Sequence, residues 1–151
     1  MSDRRAQEEL LNAWMEMSVG IRGNRILSGF SFNEIMICGL LYRRAQQGLP
    51  PCTATELCGR MHLLKSQMNH LLTAMESRGL IRRERSETDR RAVYVRLQPE
   101  AEALYLAEHE KVLGIVETVR SALGAEDAAA LTELMRRATA VVNDNLSKED
   151  L

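Results

Sequence analysis

The sequence predicts a mainly α-helical fold: a winged helix-turn-helix with a small β-hairpin wing, and long helices at both ends. At 151 residues the chain is the size of one functional unit with a real core. Apolar residues recur at helical spacing over most of its length. Only residues 80–85 and 92–97 have the composition and alternation of strands, and they flank a polar loop.

Residues 3–21 form the first predicted helix. Its apolar stripe is amphipathic, and Gly20, Gly23 and the polar residues 22–25 are expected to end it. The stripe consists of Leu10, Leu11, Trp14, Met15, Met17 and Ile21.

The second helix is predicted over residues 32–46, because Ser31 and Glu34 have the spacing of a capping box. Its centre, IMICGLLY, is apolar nearly all round, which indicates a place in the core. The sequence Gly-Leu-Pro-Pro at 48–51 then stops the helix.

A helix-turn-helix follows. Thr53 and Glu56 form a second capping box that opens a short helix ending near Met61. After a brief turn at residues 62–63, the fourth helix runs to Ser77. Two helices joined by so few residues are typical of this motif, and Gly79 has the position of a left-handed helix terminator.

The fourth helix has two chemically different faces. Met68, Leu71, Leu72 and Met75 fall at i, i+3, i+4 and i+7, and therefore predict the buried side. The opposite side is uncharged and rich in groups that donate and accept hydrogen bonds, which suits the reading of base edges in a major groove. It presents Ser66, His70, Thr73 and Ser77, flanked by Gln67 and Asn69.

Basic residues cluster around the predicted hairpin. Between residues 60 and 96 there are nine Lys or Arg against four acids, a local charge of +5, and the rest of the chain carries -6. The net charge of -1 excludes a uniformly basic coat protein. A basic patch on an acidic body is the footprint of a protein that docks one face on phosphate.

Two long helices are predicted at the C-terminus, over residues 99–123 and 125–146, with Pro99 in the first turn and Gly124 between them. A helix of about 25 residues spans about 37 Å, more than a small winged domain needs. We therefore expect residues 1–30 and 99–151 to form a helical dimerisation region and residues 31–98 the winged region. The apolar positions are Leu104, Val112, Leu113, Ile115, Val116 and Val119, then Leu131, Leu134, Met135, Ala138, Val141, Val142 and Leu146.

The element order, together with KSQMNHLLTAMESRGLIRR followed by ETDRRAVYVRLQPEA, resembles the MarR family of bacterial winged helix-turn-helix transcription regulators. The motif resemblance covers roughly residues 53–101. The most specific part is helix, Gly-Leu-Ile, basic strand, Asp89-Arg90-Arg91, and a strand that ends at Leu97 before a Pro-Glu helix start.

The resemblance implies a homodimeric regulator, most often a repressor, on double-stranded operator DNA with pseudo-two-fold symmetry and half-sites about 10 bp apart. It implies that Arg91 enters the minor groove, that Asp89 holds the wing and that Arg90 contacts phosphate or groove. The implied DNA-binding set is Lys65, Ser66, Gln67, Asn69, His70, Thr73, Arg85, Asp89, Arg90 and Arg91.

The chain departs from the family pattern at three positions. Leu64 stands where Asp or Ser often caps the reading helix, so Ser66 is an alternative cap. His70 replaces a frequent arginine on the reading face, and Gln98 replaces the usual Thr after the second strand.

Many family members release DNA when a small molecule binds between the dimer arm and the reading domain. A small aromatic or apolar effector near Trp14 and Met17 is one interpretation, and simple core or dimer contact is the other. The histidines lack the i, i+4 spacing of a helical metal site, and no catalytic motif is present. We therefore expect no metal, no cofactor and no enzymatic activity.

Three cysteines at irregular spacing indicate a reducing compartment, and no apolar run is long enough to span a bilayer, so a cytoplasmic protein is expected. Cys38 and Cys58 are expected to be buried, and Cys52, beside two prolines, to be the most exposed. Two alternatives stay open: a redox-sensing regulator that acts through a cysteine, and a winged-helix protein-interaction module without specific DNA binding.

Overall fold

The computed structural model describes residues 2–23 and 29–149, and this part of the chain confirms the predicted fold class. The order is α1 (Ser2–Gly23), α2 (Phe32–Gln46), β1 (Cys52–Thr53), α3 (Ala54–Met61), α4 (Lys65–Ser77), β2 (Ile81–Arg85), β3 (Val93–Leu97), α5 (Pro99–Leu123) and α6 (Ala125–Glu149). Gly20 lies inside α1 and does not end it. The expected break at residues 22–25 falls partly outside the described residues.

The chain divides into two compact units, Met1–Glu110 and Lys111–Leu151. The first unit holds the helix-turn-helix and the sheet. The second holds the remainder of α5 and all of α6. The expected division into a dimerisation region and a winged region stays a prediction.

The core of the first unit lies between α2, α3, α4 and the sheet. Ile37, Leu57, Met68, Leu72 and Val95 are fully buried in it. The predicted apolar centre of α2 does enter this core. Because α4 contributes its predicted apolar face, the same packing turns its polar face to solvent.

Both predicted capping boxes are present. Ser31 Oγ accepts a hydrogen bond from the Glu34 amide at 3.3 Å, and Glu34 Oε2 accepts one from the Ser31 amide at 2.9 Å. Thr53 and Glu56 repeat this exchange at 3.1 and 3.0 Å. Each box satisfies amides that the first helical turn leaves unpaired.

The N-terminus of α4 differs from the capping arrangement considered for Ser66. The N-cap is Leu64, whose backbone is extended, and Ser66 lies inside the first turn. A leucine side chain has no acceptor, so half of the usual box is missing. Gln67 supplies the other half, because its Oε1 accepts from the Leu64 amide at 2.9 Å.

The sheet has three antiparallel strands in the order β1-β3-β2. The hairpin of β2 and β3 was predicted, but the two-residue strand β1 was not. Cys52 in β1 pairs with Val95 in β3 and is only 1% exposed. The expectation that Cys52 is the most exposed cysteine is therefore wrong, because strand pairing draws the segment after the prolines into the core.

An ion pair joins the beginning of α2 to the end of α4. Arg78, the C-cap of α4, places Nη1 2.6 Å from Glu34 Oε1, and its Nη2 donates to the Gly29 carbonyl at 3.0 Å. The Glu34 side chain is nearly buried. One carboxylate thus caps one helix and anchors the end of another.

Gly79 follows Arg78 in the left-handed region, with φ +73°, as predicted. A Cβ placed on it would meet nothing within 4 Å, so the backbone conformation alone favours glycine there. A Cβ placed on Gly59, inside α3, would also meet nothing within 4 Å, but Gly59 has helical dihedrals.

We predict opposite effects for alanine at these two glycines. Gly79→Ala should lower the free energy of unfolding by about 1 kcal/mol, the cost of a left-handed L-residue. Gly59→Ala should raise it by about 0.5 kcal/mol, because alanine loses less backbone entropy in a helix. Urea denaturation followed by circular dichroism measures both, and equal shifts of the same sign would contradict the assignment.

Candidate nucleic-acid interface

The reading face is defined as the exposed side of α4: Lys65, Ser66, Gln67, Asn69, His70 and Thr73. All six are exposed, while Met68, Leu72 and Met75 on the opposite side are completely buried. The structure therefore places the predicted reading residues on one surface. Their contact with DNA stays a prediction.

Two members of the reading face have hydrogen-bond partners within the protein. Gln67 accepts from the Leu64 amide, and Thr73 Oγ1 accepts from Arg83 Nη2 at 3.2 Å. Among the described residues, the side chains of Asn69 and His70 have no such partner. They keep their full capacity for an external ligand.

The wing loop, residues 86–92, is held by side chains bonded to backbone. Ser86 Oγ accepts from the amides of Thr88 and Asp89 at 3.3 and 3.1 Å. Asp89 Oδ1 accepts from the Arg91 amide at 3.0 Å. Asp89 thus fixes the backbone that carries Arg91, which agrees with the holding role that the resemblance implies.

The seven arginines from Arg78 to Arg96 separate into two groups. Four make ion pairs with carboxylates: Arg78 with Glu34, Arg83 with Glu76, and both Arg82 and Arg96 with Glu84. The other three are exposed and have no side-chain partner among the described residues. These wing-tip arginines are Arg85, Arg90 and Arg91.

Glu84 neutralises much of the charge on the body of the wing. Its carboxylate accepts from Arg96 Nε at 3.0 Å and also from Arg82. The hydrogen bond from Arg96, and then that from Arg82, lowers the pKa of Glu84. The carboxylate therefore stays ionised, and the free positive charge is concentrated at the wing tip.

Arg83 connects the wing to the reading helix. It lies in β2, and its Nε is 2.5 Å from Glu76 Oε2 of α4. Because its Nη2 also reaches Thr73 on the reading face, this half-buried arginine joins the wing to α4. No local sequence pattern indicates this role of Arg83, because the pairing arises only from the approach of β2 to α4 in the fold.

A cavity of about 350 Å³ lies within the first unit, between the end of α2, the loop at 48–51, β3 and the start of α5. Its wall combines apolar groups with one arginine and one carboxylate. Trp14 and Met17 do not line it and are exposed in the single chain. The lining residues are Leu41, Tyr42, Ala45, Gly48, Leu49, Pro51, Val95, Arg96, Leu97 and Glu102.

The part of the chain that the structure describes, residues 2–23 and 29–149, holds no group of three or more His, Cys, Asp or Glu placed to bind a metal. None of its helices combines the length and apolar character needed to cross a bilayer.

The cysteines differ in environment. Cys38 and Cys52 are buried, and Cys58 is half-buried. Burial raises the pKa of the Cys38 thiol to about 12, and repulsion by the Glu34 carboxylate acts in the same direction. Cys38 is therefore a neutral thiol at physiological pH, and thiolates are the reactive form.

The chain combines a helix-turn-helix that has a polar reading face with a hairpin wing tipped by arginines. This combination places its fold in the class of winged helix-turn-helix proteins. Within that class, residues 47–93 match the model of the MarR family. The resemblance drawn from the sequence is thus confirmed. MarR proteins are transcriptional regulators, not enzymes.

Solved structures share the fold over nearly the whole chain. Streptococcus pneumoniae FabT in complex with DNA has a TM-score of 0.72 at 19% identity, over 93% of this chain and 97% of that one. A MarR family protein from Bacillus stearothermophilus scores 0.71 at 21% identity, over 95% and 98%. The PcaV transcriptional regulator from Streptomyces coelicolor, in complex with its natural ligand, scores 0.71 at 17% identity, over 87% and 91%. No curated protein sequence matches the chain.

We predict that the three thiols of the native protein react at different rates. Iodoacetamide at pH 8 should alkylate Cys58 first, with Cys38 and Cys52 slower by more than about tenfold, because they react only through local opening. Peptide mass spectrometry after timed quenching measures the rates. In urea all three should react alike, and fastest modification of Cys52 in the native state would contradict the burial described.

Proposed function

We propose that this protein is a cytoplasmic DNA-binding transcriptional regulator, acting as a repressor. The observation that carries the proposal is the distribution of charge. Among the described residues Arg85, Arg90 and Arg91 have no ion-pair partner at the wing tip, and Lys65 is the one charged member of the hydrogen-bonding reading face. Free arginines suit phosphate or a narrow minor groove, and the reading face suits base edges. The family match over residues 47–93 supports the same function.

We propose further that it binds as a homodimer to pseudo-palindromic operators. Apolar side chains that a lone soluble chain would bury remain exposed on α1, on α5 and on α6. Exposed apolar surface of this extent is typical of protein interfaces. Examples are Leu10 at 70%, Trp14 at 58%, Val116 at 53%, Leu134 at 56% and Val141 at 60%.

Release by a small molecule is the third part of the proposal. It is supported by the fold likeness to PcaV, whose structure contains its natural ligand. An aromatic or apolar effector remains the proposed class, and Trp14 and Met17 remain the proposed contacts. The burial of Cys38 and Cys52 disfavours the redox alternative.

We predict that Arg91→Ala weakens binding to the protein's operator and reduces the dependence of log K on log salt by about one unit, because one positively charged wing contact that releases counterions is lost. Fluorescence anisotropy with a labelled duplex at several salt concentrations measures both quantities. The operator is first located by mobility shift on the DNA upstream of the protein's own reading frame.

Arg82→Ala is the matched control for this experiment. It removes the same formal charge from the same hairpin, but Arg82 is already paired with Glu84. Its effect on the salt slope should therefore be less than half that of Arg91→Ala. Equal slopes for wild type and Arg91→Ala would contradict the wing contact, and sequence-blind binding would favour the protein-interaction module.

We predict a mass in solution of twice the 17.0 kDa of one chain, measured by light scattering coupled to gel filtration. Leu134→Glu should shift the protein toward the monomer, because a charge would be buried in the apolar contact. Thr132→Glu adds the same charge to α6 and should leave the mass unchanged, because Thr132 lies off the apolar stripe that contains Leu134. A monomeric wild type would overturn the dimer proposal.

A further inference from the structure

Gln67 has two tasks that compete for one amide group. It is the third residue of α4, and its Oε1 lies 2.9 Å from the Leu64 amide. The partner is an N–H donor, so the contacting atom must be the amide oxygen and not the nitrogen. The orientation of the Gln67 side chain is thereby set by the chemistry of its partner.

Among the residues that the structure describes, no other side chain supplies this bond at the beginning of α4. Leu64, in the N-cap position, has no polar atom, and no side-chain cap bond is made there. In α2 and α3, Ser31 and Thr53 cap jointly with a glutamate three residues on. In α4 the glutamine acts alone, so releasing its oxygen would leave the Leu64 amide without its side-chain acceptor.

The amide nitrogen of Gln67 is left as the free end of the side chain. Gln67 is exposed on the reading face, and its Nε2 has no partner among the described residues. This nitrogen offers two N–H donors and no acceptor. A glutamine normally recognises adenine with both ends of its amide, donating to N7 and accepting from N6.

We propose that Gln67 reads the major groove as a hydrogen-bond donor. Its oxygen keeps a second lone pair, but the bond to the Leu64 amide fixes the orientation of the amide group, so the oxygen cannot turn to align with adenine N6 while it caps the helix. Gln67 selects a base with acceptors on that edge, guanine through N7 and O6 or thymine through O4, and it disfavours two-ended recognition of adenine. This inference rests on the proposed DNA-binding function and names how one residue of that surface discriminates.

Asn69 provides the internal comparison. It is exposed on the same helix two residues on, and the described residues offer its side chain no hydrogen-bond partner. Both ends of its amide remain available, so it keeps the two-ended recognition of adenine that Gln67 gives up.

The test is selection of binding sites from a randomised duplex library by wild-type protein and by Gln67→Glu. Glutamate keeps the capping oxygen, and its charge is favourable at a helix N-terminus, so the variant should melt no lower than wild type. The group facing the groove changes from donor to acceptor. One position of the selected site should therefore shift from guanine or thymine to cytosine, by about tenfold in relative affinity.

Two further variants separate base reading from general effects. Asn69→Asp introduces the same charge without touching the cap, and it should leave the base selected through Gln67 unchanged. Gln67→Met removes both cap and donor, so it should melt lower than wild type and lose the preference at that single position.

Three results would overturn the inference. The first is a wild-type preference for adenine at the position that Gln67→Met relaxes. The second is a uniform loss of affinity in Gln67→Glu with no change of selected base. The third is a wild type that enriches no sequence at all, which would also overturn the proposed function; the first two leave that function intact.

Discussion

The packing of α4 fixes its orientation about its own axis, and the remainder of the site depends on that orientation. Met68, Leu72 and Met75 are buried without any exposed surface, and a helix cannot turn without withdrawing all three from the core. The residues on the opposite side of α4 are therefore exposed to solvent. Arg83 then connects this oriented helix to β2 through Glu76 and Thr73, so the wing takes its direction from the same packing.

Ion pairs determine which arginines of the hairpin region keep a free positive charge. The local charge of the hairpin region suggests a broad basic surface, but Glu34, Glu76 and Glu84 pair with four of its arginines. An arginine paired with a carboxylate attracts a distant phosphate less strongly than an unpaired arginine does. The remaining positive charge lies at the wing tip, where Asp89 holds the backbone. The three arginines there have no ion-pair partner within the described part of the chain.

The beginning of α4 shows a compromise between stability and recognition. A leucine at the N-cap leaves the first turn without its usual side-chain acceptor, and Gln67 replaces it at the expense of its own oxygen. The residue that stabilises the helix therefore has less hydrogen-bonding capacity left for an external ligand. Asn69 and His70, which take no part in capping, keep theirs.

The helices, both capping boxes, the hairpin and the two faces of α4 follow from the sequence by itself, because they depend on residues within one or two turns of each other. Residue pairing over longer separations was decided only by the tertiary structure. Cys52 is buried because β1 pairs with β3, which lies some forty residues later in the sequence. No local sequence pattern distinguishes the two-residue strand β1 from a loop. The sequence does not distinguish the paired arginines from the three at the wing tip. Only the folded structure brings carboxylates of α2, α4 and β2 to the paired ones, which are Arg78, Arg82, Arg83 and Arg96.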